Sequence, residues 1–172
     1  TKSCFTALHL AVATNASESV VRMLLELYPD AVQHQDTGHE DTPLHLAVRQ
    51  KASAAVIKLL LKAYPDAGTI TNNLHPLDLA ASKNASEAVM RLLIEAYPDG
   101  CNNHGSVPLH YALFSNASDT VVRMLIEAYP DDVQELDNSY ERRTPLHYAA
   151  YQKASEEVVR MLLEAYPDAA KM

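Results

Sequence analysis

The chain has 172 residues, 48% of them apolar, a formal net charge of −8 and no Trp. That length can bury a sizeable core, and the acid excess argues against nucleic-acid binding through a general basic surface, which needs surplus Lys and Arg. No run of 18 apolar residues is present, so no membrane-spanning helix is predicted, and no secretory signal pattern is read at the start.

In chain order, Thr-Ala-Leu-His-Leu-Ala-Val at 6–12 predicts a short helix near 7–14. The stretch 20–30, VVRMLLELYPD, predicts a second helix near 18–28, because its apolar residues recur at the spacing of one buried helix face. Proline donates no amide hydrogen and biases the preceding residue away from helical angles, so this helix should stop at Tyr28. The same two motifs then recur. TPLHLAV at 42–48, HPLDLAA at 75–81, VPLHYAL at 107–113 and TPLHYAA at 144–150 each precede a Tyr-Pro-Asp helix, at 56–66, 89–99, 121–131 and 158–168. From the first residue of the motif to the tyrosine the gap is 22 in every copy (6 to 28, 42 to 64, 75 to 97, 107 to 129, 144 to 166). All length variation therefore lies between Tyr-Pro-Asp and the next motif, which is what stacked helix pairs joined by elastic connectors require.

Five copies of a T-P-L-H-L-A-type motif in register with a second motif resemble the ankyrin-repeat family. The resemblance covers the whole chain. It implies an all-α solenoid of helix-turn-helix pairs with hairpin-like connectors, in repeats near 6–41, 42–74, 75–106, 107–143 and 144–172. The sequence departs from the family pattern in its inter-helix turns, which read TNAS, QKAS, KNAS, SNAS and QKAS without glycine, and in its Tyr-Pro helix stops. The family also implies that the Thr and His of each motif tie adjacent repeats together. That role is expected of Thr6 with His9, Thr42 with His45, and Thr144 with His147. Repeat three, with His75 and Asp78, and repeat four, with Val107, are expected to be weaker there.

Smaller signals have structural readings. Ser17, Ser53, Ser86, Ser118 and Ser155 are placed to cap the second helices. Asn15, Asn84 and Asn116 head Asn-Ala-Ser triplets, but asparagine also tolerates the left-handed angles such a turn needs, and glycosylation is not expected. The motif histidines, one per repeat and about 10 Å apart, are too far apart for a zinc ion whose ligands lie about 2 Å away. Arg22, Arg91, Arg123 and Arg160 stand four residues before Glu26, Glu95, Glu127 and Glu164, an i,i+4 pairing. Cys4 and Cys101 lie about three repeats apart and are expected to be free thiols.

No phosphate loop, paired carboxylates or Ser/Cys–His arrangement rises above the repeat background. The expected function is a non-catalytic, intracellular scaffold, in the cytoplasm or else in an organelle, that binds another protein through its concave face and connector tips, with no cofactor and no metal. The alternatives are a targeting or regulatory segment of a larger enzyme or channel, or an architectural subunit of a large assembly. Scaffold positions repeat, so binding positions should be those that do not: Arg49, Gln50, Lys83, Phe114, Ser115, Tyr151 and Gln152 after the motifs, and His34, Asn72, Asn73, Asn103, His104, Tyr140 and Arg142 in the connectors. The two long connectors, 31–41 and 132–143, are acidic, which favours a basic or amide-rich partner segment. The terminal repeats carry no polar substitutions, which predicts further repeats or a partner chain covering the ends, and self-association of the chain alone.

Overall fold

The computed structural model describes residues 5–68, 74–100, 107–138 and 142–171. These residues form ten α-helices with no strand among them. The helices are α1 (Ala7–Ala13), α2 (Glu18–Leu27), α3 (Pro43–Arg49), α4 (Ala54–Ala63), α5 (Pro76–Ser82), α6 (Glu87–Ala96), α7 (Pro108–Phe114), α8 (Asp119–Ala128), α9 (Pro145–Tyr151) and α10 (Glu156–Ala165). Seven-residue first helices thus alternate with ten-residue second helices.

The chain divides into two compact units, Thr1–Pro76 and Leu77–Met172. In the first, α1 packs on α2 and α3, while α4 packs on α2 and α3. Its core holds Leu8, Val12, Val21, Leu44, Val48, Ile57 and Leu60, all almost fully buried. In the second, α7 packs on α8 and α9, and α8 also packs on α6 and α10. Leu93, Leu109, Leu125 and Leu162 form the matching core. Every second helix is strongly amphipathic, so its apolar stripe is buried only by stacking on the neighbouring pair.

The glycine-free inter-helix turn has a plain physical basis. Asn15, Lys51, Asn84, Asn116 and Lys153 all take left-handed angles, with φ between 49° and 55°. Each sits just past its helix and donates to the carbonyl three residues back. The following alanine donates five back, as in Ala16 N–H to Ala11 O at 2.8 Å and Ala117 N–H to Ala112 O at 2.9 Å. This is the Schellman closure of a helix end, usually made with glycine. Asparagine reaches it at low cost, and at Lys51 and Lys153 the same bonds hold a residue with less natural tendency toward it.

Each Tyr-Pro-Asp stop places the tyrosine as the terminal cap, with Tyr129 N–H donating to Leu125 O at 2.8 Å. The helices therefore end one residue before the tyrosine. The proline then opens a further 3-10 turn in four copies, Pro29–Gln33, Pro65–Gly68, Pro130–Val133 and Pro167–Lys171. Proline suits this first position because no donor is needed there. In the remaining copy Gly100 takes φ 68°, and the ring of Tyr129 lies 3.5 Å from where a Cβ would stand.

Three sequence expectations need correction. Ser53, Ser86, Ser118 and Ser155 cap their helices, but Ser17 does not; its hydroxyl bonds to that of Ser19. The arginines pair toward the N-terminus rather than the C-terminus: Arg22 with Glu18, Arg91 with Glu87, and Arg160 with Glu156 and Glu157. Arg123 reaches Glu157 of the next pair at 2.7 Å. An acid before its base on a helix is the better order. Finally, the weakening expected at Val107 is confined to the missing threonine-hydroxyl bond, which lies at 2.8 Å in the copies of Thr6, Thr42 and Thr144, and does not reach the tie itself. His110, in the copy with Val107, still bonds the Arg143 carbonyl at 3.2 Å, while His45 Nε2, in a complete Thr–His copy, is buried with no hydrogen-bond partner among the described residues.

Candidate functional site

The motif histidines show how four of the five first helices are set, the third repeat carrying Asp78 in that place. Thr6 N–H donates to His9 Nδ1 at 3.2 Å, and the Thr6 hydroxyl lies 2.8 Å from the same nitrogen. Nδ1 is therefore the acceptor, so the proton sits on Nε2, which faces the Asp41 carbonyl at 3.2 Å. Burial pushes the pKa of His9 and His110 down. It pushes His45 down to about 4, against the opposing pull of Asp41 and of the Leu74 carbonyl, which does not reach hydrogen-bond geometry. These are neutral scaffold histidines, each serving one helix start, and they do not converge on a site.

The connectors are closed by carboxylates. Asp36 accepts from the backbone N–H groups of Gly38, His39 and Asp41, and its own N–H donates to the Asp41 carbonyl at 2.9 Å. Asp137 repeats the device: it accepts from Arg143 N–H at 2.9 Å and donates its own N–H to the Arg143 carbonyl at 3.0 Å. The loop is hairpin-like, but one rung of the ladder is a side chain. Glu40 and Arg142 carry the left-handed residue of each loop, at φ 57° and 47°.

In repeats two and five the residue before the motif faces the last residue of that first helix. In repeat two these are Asp41 and Arg49, which form a two-pronged ion pair at 2.9 and 3.2 Å with the Asp41 carboxylate buried. In repeat five the matching positions hold Arg143 and Tyr151, and the guanidinium lies 5.8 Å from the Tyr151 ring centre and 6.0 Å from that of Tyr148. Stacking of this kind is a cation–π contact. Tyr148 is fixed from behind by donating its hydroxyl to Asp137. Burial foremost, and that bond next, push its pKa up to about 12. Its ring meets Phe114 edge-on at 6.0 Å and His110 at 5.6 Å. The Gln152 amide donates to the Phe114 carbonyl at 2.6 Å and so links the two helix ends.

The result is a rigid aromatic patch on the second unit. Tyr148 is half-buried at its centre, while Phe114 and Tyr151 project with 57% and 69% of their surface exposed. Of the candidates read from sequence, Phe114, Tyr151 and Gln152 come together here, with Ser115 exposed beside them. Gln50, Lys83 and Arg142 are exposed outside this patch, and His34 lines an open groove with Leu24, Leu27 and Tyr28 on the first unit. Arg49 is tied to Asp41. Asn72, Asn73, Asn103, His104 and Tyr140 lie outside the described residues, as do Cys4 and Cys101. Sequence reasoning missed Tyr148 and Arg143. For Arg143 a signal was available, because the residue before the motif and the residue seven after its start change together, from Asp with Arg to Arg with Tyr, whereas nothing in the spacing marks Tyr148.

The family model for ankyrin repeats in three copies matches residues 2–71, 56–137 and 77–171, which together span nearly the whole chain. The chain belongs to the ankyrin-repeat family. Its fold is similar to the crystal structure of the ankyrin repeat domain of Bcl-3, a unique member of the IkappaB protein family, with a TM-score of 0.76 over 96% of this chain and 73% of that one. The identity is 24%, so this likeness speaks to the fold. No curated protein sequence matches the chain.

Proposed function

We propose that this ankyrin-repeat chain is a non-catalytic binding module that holds a protein segment on the patch of Phe114, Tyr148 and Tyr151. Ankyrin repeats generally serve protein–protein interaction. The observation that carries the finer reading is the exposure of Phe114 and Tyr151 in a slot that other copies fill with Ala13, Arg49 and Ser82. Rigid, exposed aromatics are typical anchors of an interface. Tyr148 needs no ordering on binding, because Asp137 already holds it.

The partner segment offers an apolar or aromatic anchor. The acidic connectors favour a basic segment less than their residue count suggests, because Asp36, Asp41 and Asp137 are buried and turned inward onto the chain's own amides, Arg49 and Tyr148. Selection from a displayed peptide library tests this. Selected peptides should carry an apolar anchor and lose at least tenfold in affinity against the Phe114→Ser/Tyr151→Ser double variant, whose helical circular dichroism stays intact. Peptides that bind that variant as well as the parent would place the binding surface elsewhere.

A further inference from the structure

One second helix departs from the charge pattern of the other four. α2, α6, α8 and α10 open on an acid, then place an arginine one turn later and a glutamate one turn after that. In α4 those three places hold Ala54, Lys58 and Lys62, and the helix has no acid at all. Its outward strip of Ala55, Lys58 and Lys62 is exposed, while Val56, Ile57, Leu60 and Leu61 are buried in the core. Lys51, exposed in the preceding turn, lines a cleft with Ser53 and Val56 at the start of the same helix. Arg22, Arg91, Arg123 and Arg160 are each held by a carboxylate. Lys51, Lys58 and Lys62 enter no ion pair among the described residues.

Local stability does not account for this exchange. An acid in the first turn favours the positive end of the helix dipole, and Ala54 gives that up. Lys62 gains at the negative end, but like charges four residues apart repel. Nor is it a packing need, because the exchanged lysines face water. We propose that the outward strip of α4 docks an acidic segment of a partner protein, with two carboxylates facing Lys58 and Lys62. The two lysines are rooted about 6 Å apart along the helix axis, and glutamates four apart on a partner helix have the same spacing. Lys51 extends the strip past the helix start. A planar anionic membrane fits less well, because α2, packed beside α4, exposes Glu18 and Glu26, and the chain carries a net charge of −8. The surface belongs to the first unit and is independent of the aromatic patch on the second.

Fluorescence anisotropy of a labelled alanine-based helical peptide with glutamate at every fourth position, titrated with the 172-residue protein at low ionic strength, tests the proposal. The peptide should bind, and binding should weaken as salt is added. Lys58→Gln/Lys62→Gln should lower the affinity about fivefold or more. Arg91→Glu makes the same change in net charge on α6 and should leave the affinity within about twofold. All three positions are exposed, so folding is retained, and circular dichroism checks it. The same peptide with lysine in place of glutamate should not bind. Absence of binding to the parent protein would overturn the proposal, as would equal losses in the two variants or no loss in the lysine double variant. Phosphatidylserine vesicles that bind through the same lysines, with the peptide left unbound, would also overturn it and mark a membrane-facing surface instead.

Discussion

Asp132 is the residue whose chemistry departs most from its repeat. Ala31, Ala67 and Ala169 fill the same place after Tyr-Pro-Asp, and Ala67 and Ala169 are buried there. The carboxyl of Asp132 has a buried oxygen without a hydrogen-bond partner among the described residues. Burial first, then the nearby charges of Glu135 and Asp131, raise its pKa to about 7. A raised acid contributes stability that is complete below its unfolded pKa, near 4, and is lost as pH rises through about 7. The neutral histidines act in the opposite sense: the stability tied to His45 is present above its unfolded value of 6.5 and is lost as pH falls toward about 4. Asp132→Ala should therefore leave stability almost unchanged at pH 4 and raise it by about 1–2 kcal/mol at pH 8, after discounting the full shift for partial exposure. Urea unfolding at both pH values measures this, and an equal effect at the two would reject the buried-acid account. At this scale the sequence was only partly legible. The acid in an alanine slot and the exchange of Asp41 with Arg49 for Arg143 with Tyr151 are both visible in aligned repeats. That Tyr148 sits at the centre of the patch depends on how Asp137 turns inward, which no spacing reveals.

At the scale of the helix, what reads from sequence is what short-range chemistry decides. The capping serines, the left-handed turn residues and the proline stops all follow from backbone groups that must be satisfied within a few residues. Side-chain partners were read less well, because an arginine in mid-helix can reach an acid on either side, and the helix start offers Glu18, Glu87 or Glu156 in the better order. The one failed cap gives a controlled comparison. Ser118 accepts from Val121 N–H and lies next to a bond that joins its backbone to Asn84, whereas Ser17 makes no cap bond. Ser118→Ala should cost about 1 kcal/mol, while Ser17→Ala should cost only a few tenths, as at an ordinary surface position. Thermal melts of the two variants decide it; equal losses would mean that Ser17 caps in solution after all.

For the molecule as a whole, the period of the sequence discloses the repeat, but not which faces stay open, because internal and terminal helices are written almost alike. VVRM opens the stripe at 121–124 and again at 158–161. Position in the stack separates them. Val122 is 1% exposed between two helix pairs, while its equivalent Val159 is only partly covered. In a stacked array each pair is stabilised by its own packing and by its immediate neighbours, so one substitution should have two different costs. Val122→Asp forces a charge into a joint closed on both sides and should cost about 3 kcal/mol or more. Val159→Asp places the same charge where water reaches it and should cost less than about 1 kcal/mol, measured at a dilution where the chains are separate. Denaturant titration followed by helical circular dichroism supplies both numbers. If Val159→Asp proved as damaging as Val122→Asp in the isolated chain, the last helix pair would have to be covered by a segment of the same chain.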